Sequence, residues 1–326
     1  METFAKKTFL ALKNPYGTVT ACYPKVINEV RASLSENGYA YYAGYKNTDG
    51  IPGALIERFC GYGFLKHTRD KMSPGGRAVD MQLVNPLTGK WMTGSSSGTA
   101  LNVFYGINDI GVGTDGGGSV LAPAAALNLY GFISPLIEQE HLKKFRKEST
   151  DGISFSPSIG FITRDFETLR TVLQKEPGVN VAAQQSDSVE TAAMALFTVP
   201  DTLDIYGPRR ALIDYLEKTM TSGVILKSEE GPVDVNGLGD TVFGHMGEDA
   251  ALCQRQAKKG LMRVANMCGL SAVTIPQKDV GKCILLLCSS NPKDISRMLA
   301  VAETCKVERS ALLEHYFGNL DMYFDS

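Results

Sequence analysis

Residues 92–124 read MTGSSSGTALNVFYGINDIGVGTDGGGSVLAPA, in which two Gly/Ser clusters frame a short apolar stretch. A Gly/Ser run taken alone is more often a flexible linker than a site. Three features argue otherwise here. Gly116, Gly117 and Gly118 stand immediately before one serine, Ser119. Successive glycines let backbone N–H groups converge on one point, the geometry of an anion nest or oxyanion hole. The chain then continues as VLAPAAALNLYGF, a stretch suited to burial rather than to solvent.

Outward from this stretch, strands and helices alternate. TFLAL (8–12) is expected as a short strand ending at Lys13, with Asn14-Pro15-Tyr16-Gly17 as the turn behind it. In PKVINEVRASLSE (24–36), Val26, Ile27, Val30 and Leu34 share one helical face, Pro24 suits the first turn, and Asn37-Gly38 closes the helix. YAYYAGY follows as a strand, so the start of the chain is expected to be a right-handed strand–helix–strand crossover. Residues 66–94 are polar and rich in Gly and Pro, and are expected to be mostly loop. A helix is expected through 98–106, and DIGVGTD as a short strand or turn entering the second cluster. SPSIGFITRDFETLRTVLQ (156–174) gives an extended segment and then a helix capped by Asp165 or Thr163. Further on, YGPRRALIDYLEKT (206–219) is amphipathic, and GLMRVANMCG (260–269) is expected as a helix stopped by Gly269. SAVTIP and KCILLLC are strands, and NPKDISRMLAVAETC (291–305) is the final helix. Such alternation, with no linker to divide it, predicts one α/β layer structure around a mixed sheet.

Composition excludes several classes of function. With 326 residues the chain can bury a large core, and a formal net charge of -2 offers no electrostatic case for nucleic acid or an anionic membrane. The seven cysteines are scattered without a CxxC pair, and the four histidines are isolated from one another. That favours a reducing compartment and argues against a metal centre. GKW at 89–91 is not a phosphate loop, since neither Ser nor Thr follows the lysine, and no cofactor is implied. No run approaches the roughly 18 apolar residues of a membrane span. METFAKKTFLALK has an apolar run shorter than the roughly 7–15 residues a secretory signal needs, so a cytoplasmic protein is expected.

TGSSSGTA (93–100) and TDGGGSV (114–120) together resemble the amidase signature family, whose pattern is GGSSGG followed at this spacing by GTDxGGS. The resemblance continues in order through VRASLSENGYAYYAGYKNTD (30–49), SFSPSIGFITRDFETL (154–169) and NMCGLSAVTIP (266–276). It implies a single catalytic domain over 1–326, built on a mixed, mostly parallel sheet covered by helices on both faces, with 175–250 as a shortened, variable region. It also implies hydrolysis of linear carbon–nitrogen amide bonds in a small-molecule substrate by a Ser–Ser–Lys triad. Matched residue by residue, Ser119 is the nucleophile and Ser95 the proton relay. Lys13, in FLALKN, stands at the strand-ending position of the general base. A requirement for Lys25 or Lys46 instead would displace Lys13 from that role.

The chemistry explains the residue types. A serine hydroxyl is a weak nucleophile until a base takes its proton, and a lysine is a base only when burial has lowered its pKa. The resemblance assigns the oxyanion hole to the N–H groups of Gly116, Gly117, Gly118 and Ser119, makes Ser96 and Thr114 supports for the lysine and the loop, and implies a cis Gly94–Ser95 peptide.

The sequence also departs from the pattern. Val120 and Leu121 replace isoleucine and arginine, which leaves Asp115 without its expected partner. Gly116 replaces a bulkier residue and makes the loop intrinsically looser. Family members are longer before Lys13 and through 175–250, so the acyl pocket is expected to be shallow and open or completed by another copy or a partner subunit. Two other functions fit the same scaffold: a catalytically inactive binding or assembly subunit, and an amidotransferase subunit that needs a partner. GSSSG (94–98) also fits a nucleophile elbow centred on Ser96, but NPLTGKWMT before it is polar, contains Pro86 and cannot be the buried strand an elbow requires. Ser290 and Lys293 fit SxxK without its companion motifs.

Overall fold

The computed structural model describes residues 1–149, 152–179, 195–233, 248, 252 and 255–324. In chain order its strands are β1 (Val19–Cys22), β2 (Tyr41–Lys46), β3 (Phe64–Asp70), β4 (Val79–Val84), β5 (Trp91–Thr93), β6 (Ile110–Asp115) and β7 (Tyr130–Ser134). There follow β8 (Lys147–Glu148), β9 (Ser154–Phe155), β10 (Ser158–Thr163), β11 (Ala195–Thr198), β12 (Val224–Glu230), β13 (Leu270–Pro276) and β14 (Cys283–Ser289). The helices are α1 (Glu2–Lys13), α2 (Ile27–Asn37), α3 (Gly53–Gly61), α4 (Ser97–Phe104), α5 (Leu121–Ala126), α6 (Gln139–Leu142), α7 (Phe166–Lys175), α8 (Arg209–Thr219) and α9 (Pro292–Thr304).

A 10-stranded sheet organises the domain in the order β1-β3-β2-β6-β10-β7-β13-β14-β12-β11. Successive side chains of a strand point to opposite faces, so neighbours in sequence enter different cores. Ile133, Ile162, Leu226, Ala272 and Leu285 face one layer, packed with α4, α5 and α8 through Leu101, Ala125 and Leu212. Phe132, Phe161, Ile225, Val273 and Leu286 face the other, packed with α3, α7 and α9 through Phe59, Leu169 and Ile295. Helices therefore cover both faces. The sheet is mixed, with parallel pairs at β2–β3, β2–β6 and β11–β12. The ladders through the middle, β6–β10–β7–β13–β14, are antiparallel, so parallel pairs are fewer than expected.

The expected helices at 24–36, 98–106, 206–219 and 291–305 are present, and Asp165 caps α7 by accepting the Thr168 N–H at 2.7 Å. Three stretches differ from expectation. TFLAL lies within helix α1: Ala, Leu and Lys are strong helix formers, and its buried residues Lys7, Thr8, Leu10 and Ala11 follow a helical spacing, not alternation. Residues 66–94 contain most of β3 and the β4–β5 hairpin. The 260–269 segment is helical only over Gly260–Arg263 and then runs as turns to Gly269 at φ 65°. Of the 175–250 region, expected to be shortened and variable, 180–194, 234–247, 249 and 250 lie outside the described residues. Among the described residues no helix is long and apolar enough to cross a membrane.

Candidate active site

Strand β2 delivers a lysine to the centre of the sheet. YYAGYK is aromatic and apolar, its residues after Tyr41 are buried, and it lies between β3 and β6. At its end Lys46 is 4% exposed. Its Nζ donates to Ser95 Oγ at 2.6 Å, to Thr114 Oγ1 at 3.0 Å and to the Thr114 carbonyl at 3.2 Å. Burial brings its pKa down from 10.5 to about 7; the Asp115 carboxylate opposes that shift and the Lys147 ammonium adds to it. A substantial neutral fraction at neutral pH follows.

Lys13 is not at this site. It ends α1, is exposed, and holds its Nζ 5.0 Å from the centroid of the Phe9 ring. The lysine on Ser95 is Lys46.

Ser95 arrives from the other side, just after β5, and is 4% exposed. Gly94 before it has φ +74°, and a Cβ there would stand 2.5 Å from Pro123 Cδ, so both backbone conformation and close packing on α5 require glycine. The Gly94–Ser95 peptide is not cis: the cis bond among the described residues is Gly231–Pro232. Ser96, which precedes α4, donates its N–H to the Ser119 carbonyl at 3.2 Å and so ties the first cluster to the second. Its Oγ is buried against Gly113 rather than turned to the lysine. Ser97 Oγ donates to the buried Asp80 at 2.7 Å and anchors the start of α4.

Asp115 ends β6, fully buried. Its carboxylate accepts the N–H groups of Gly118 at 2.6 Å, Val120 at 2.6 Å and Leu121 at 3.1 Å. Burial pushes the carboxyl pKa up and these N–H groups hold it down. The Asp115 carboxylate is thus partnered by main-chain donors and shapes the turn that carries Ser119. This changes one assignment. Gly118 is expected as an oxyanion donor, but its N–H is committed to Asp115; the N–H groups of Gly116 and Gly117 are not among those the carboxylate takes. Ser119 itself is half-buried, with its main chain against Ser96.

Asn266 completes the surround. Its Nδ2 donates to Gly116 O at 3.3 Å and Ser156 O at 2.9 Å, and its Oδ1 accepts from Ser158 Oγ. It joins the glycine loop to the segment before β10. The NMCG motif contains Asn266, but only the three-dimensional pairing assigns it this work. Among the described residues no group of three or more His, Cys, Asp or Glu could hold a metal ion. A cleft of about 590 Å³ lies elsewhere, lined by Tyr130, Phe166, Arg309 and Leu313 among others, and shares no lining residue with the lysine–serine site.

Residues 79–193 match the Amidase family model. No curated protein matches the sequence significantly. The fold is similar to a bacterial aryl acylamidase of the amidase signature family, with TM-score 0.60 and 14% identity over 99% of this chain and 94% of that one. It is similar to a 6-aminohexanoate cyclic dimer hydrolase, with TM-score 0.60 and 14% identity over 98% and 94%. It is also similar to an amidase family protein from Bacillus anthracis, with TM-score 0.54 and 13% identity over 94% and 88%.

Proposed function

We propose that this chain, which carries an amidase-family segment at 79–193 on the amidase signature fold, hydrolyses carbon–nitrogen amide bonds, linear ones in particular, through an acyl-enzyme on Ser119. The observation that carries this reading is the buried amine of Lys46 on Ser95 Oγ, with the adjoining Ser96 N–H on the Ser119 carbonyl.

Neutral Lys46 takes the Ser95 proton as Ser95 takes that of Ser119. Ser119 Oγ bonds to the amide carbon, and the carbonyl electron pair moves to oxygen. The N–H groups of Gly116 and Gly117 stabilise that oxyanion; one such donor is typically worth about 3–4 kcal/mol of barrier. The proton held by Lys46 returns through Ser95 to the amide nitrogen, the C–N bond breaks, and the amine leaves. Water then gives a proton along the same path, attacks the ester carbon and releases the carboxylic acid, and Ser119 recovers its proton. Thr114 holds Lys46 in place, Asp115 fixes the nucleophile turn, and Asn266 braces the glycine loop.

A fluorophosphonate probe tests the reading by covalent labelling followed by intact mass. The folded wild type is expected to gain one adduct and Ser119→Ala none. A folded wild type that takes no label would favour a binding or assembly subunit.

A further inference from the structure

We infer that Phe155 forms the acyl-side wall of this site and selects amides with an apolar acyl group; the inference rests on the nucleophile proposed above.

A Cβ at Gly116 would stand 2.5 Å from Phe155 Cε2 and 3.1 Å from Cζ. No residue with a side chain shares that space with the ring where it now lies. The loop carries no side chain at Gly116 and is met there by an aromatic ring from β9.

Phe155 is held there from both sides. β9 pairs with β8, setting Phe155 opposite Lys147. The next residue, Ser156, gives its carbonyl to Asn266 Nδ2, which also holds the Gly116 carbonyl. One side chain therefore fixes the distance between the ring's strand and the glycine loop. The ring is only half-buried, unlike the fully buried Phe132 and Phe161 of the core. Met267, also half-buried, brings its methyl carbon within 3.5 Å of a Cβ built at Gly117. An aromatic ring and a thioether thus pack beside the two glycines whose N–H groups are assigned to the oxyanion. An alkyl or aryl acyl chain leaving the carbonyl carbon there loses water against apolar surface.

The test compares two fluorophosphonates that differ only in the alkyl group on phosphorus, ethyl or octyl, by their labelling rates at Ser119. Wild type is expected to favour octyl, and Phe155→Ala to lower the octyl-to-ethyl rate ratio about tenfold, in the range that apolar pockets command. Phe155→Leu is expected to retain most of the ratio. Thermal melting identifies any unfolded variant; if Phe155→Ala does not fold, Phe155→Ser and Phe155→Leu supply the same comparison. A folded small-residue variant with an unchanged ratio would overturn the inference and leave the nucleophile standing. Absence of labelling by both probes in wild type would overturn the two together.

Discussion

Two stretches of this chain end an apolar run with Lys-Asn, FLALKN at 9–14 and YAGYKN at 42–47, and the fold uses them in opposite ways. The first belongs to α1, whose last turn projects Lys13 into solvent, and Asn14 adopts φ 46° to end the helix. The second is an inner strand with neighbours on both edges and helices on both faces, so Lys46 is almost wholly shielded from water. The amine is the same, but the element beneath it decides its chemistry. Within the sheet, desolvation brings Lys46 to about 7 and makes it able to accept a proton.

Ser119→Ala is expected to abolish amide hydrolysis, with losses on the order of 10⁴–10⁶-fold in kcat, the range seen when a serine nucleophile is removed. Next comes Lys46→Met, with an expected loss of about 10²–10⁴-fold from the missing base. Stability carries a separate signature of the same group. Between about 7 and 10.5 the unfolded chain binds a proton at Lys46 that the folded chain does not, so unfolding free energy climbs as pH rises through that window. The climb is about 1.4 kcal/mol per pH unit at most, and it should be absent from denaturant titrations of Lys46→Met. Asp115→Ala leaves three buried N–H groups without their acceptor and is expected to lower Tm and slow labelling together, at about 1–3 kcal/mol per orphaned donor. Smallest is Lys13→Ala. It removes an exposed contact with Phe9 and should cost no more than about 1 kcal/mol in a melt, with kcat/KM unchanged.

The serines were legible because their chemistry is local: Ser95 and Ser119 each lie in a short cluster whose composition marks it. Asp165 was legible for the same reason, since a cap acts over three residues. The lysine was not, because nothing in a few residues around Lys13 or Lys46 states which element is enclosed. Strand β3 shows the same difficulty. FLKHTRD is polar in sequence, yet His67, Thr68 and Asp70 are buried. Their partners include Asn108, which bonds His67 Nδ1 at 2.8 Å and Thr68 Oγ1 at 2.7 Å, and Asn102, which bonds Asp70 at 2.7 Å. Polar residues whose partners stand 32 to 41 positions away, on α4 and in the loop before β6, look like loop until the fold brings those partners in. Gly118 has a related cause: its type suited an oxyanion loop, but the commitment of its N–H depends on where the Asp115 carboxylate turns.

The most direct test of the base is the pH dependence of fluorophosphonate labelling at Ser119 in wild type, Lys46→Met and Lys13→Ala. Wild type and Lys13→Ala should accelerate together as pH rises through about 7, while Lys46→Met stays slow and flat. Retention of the wild-type profile by Lys46→Met, or its loss in Lys13→Ala, would contradict the assignment of Lys46.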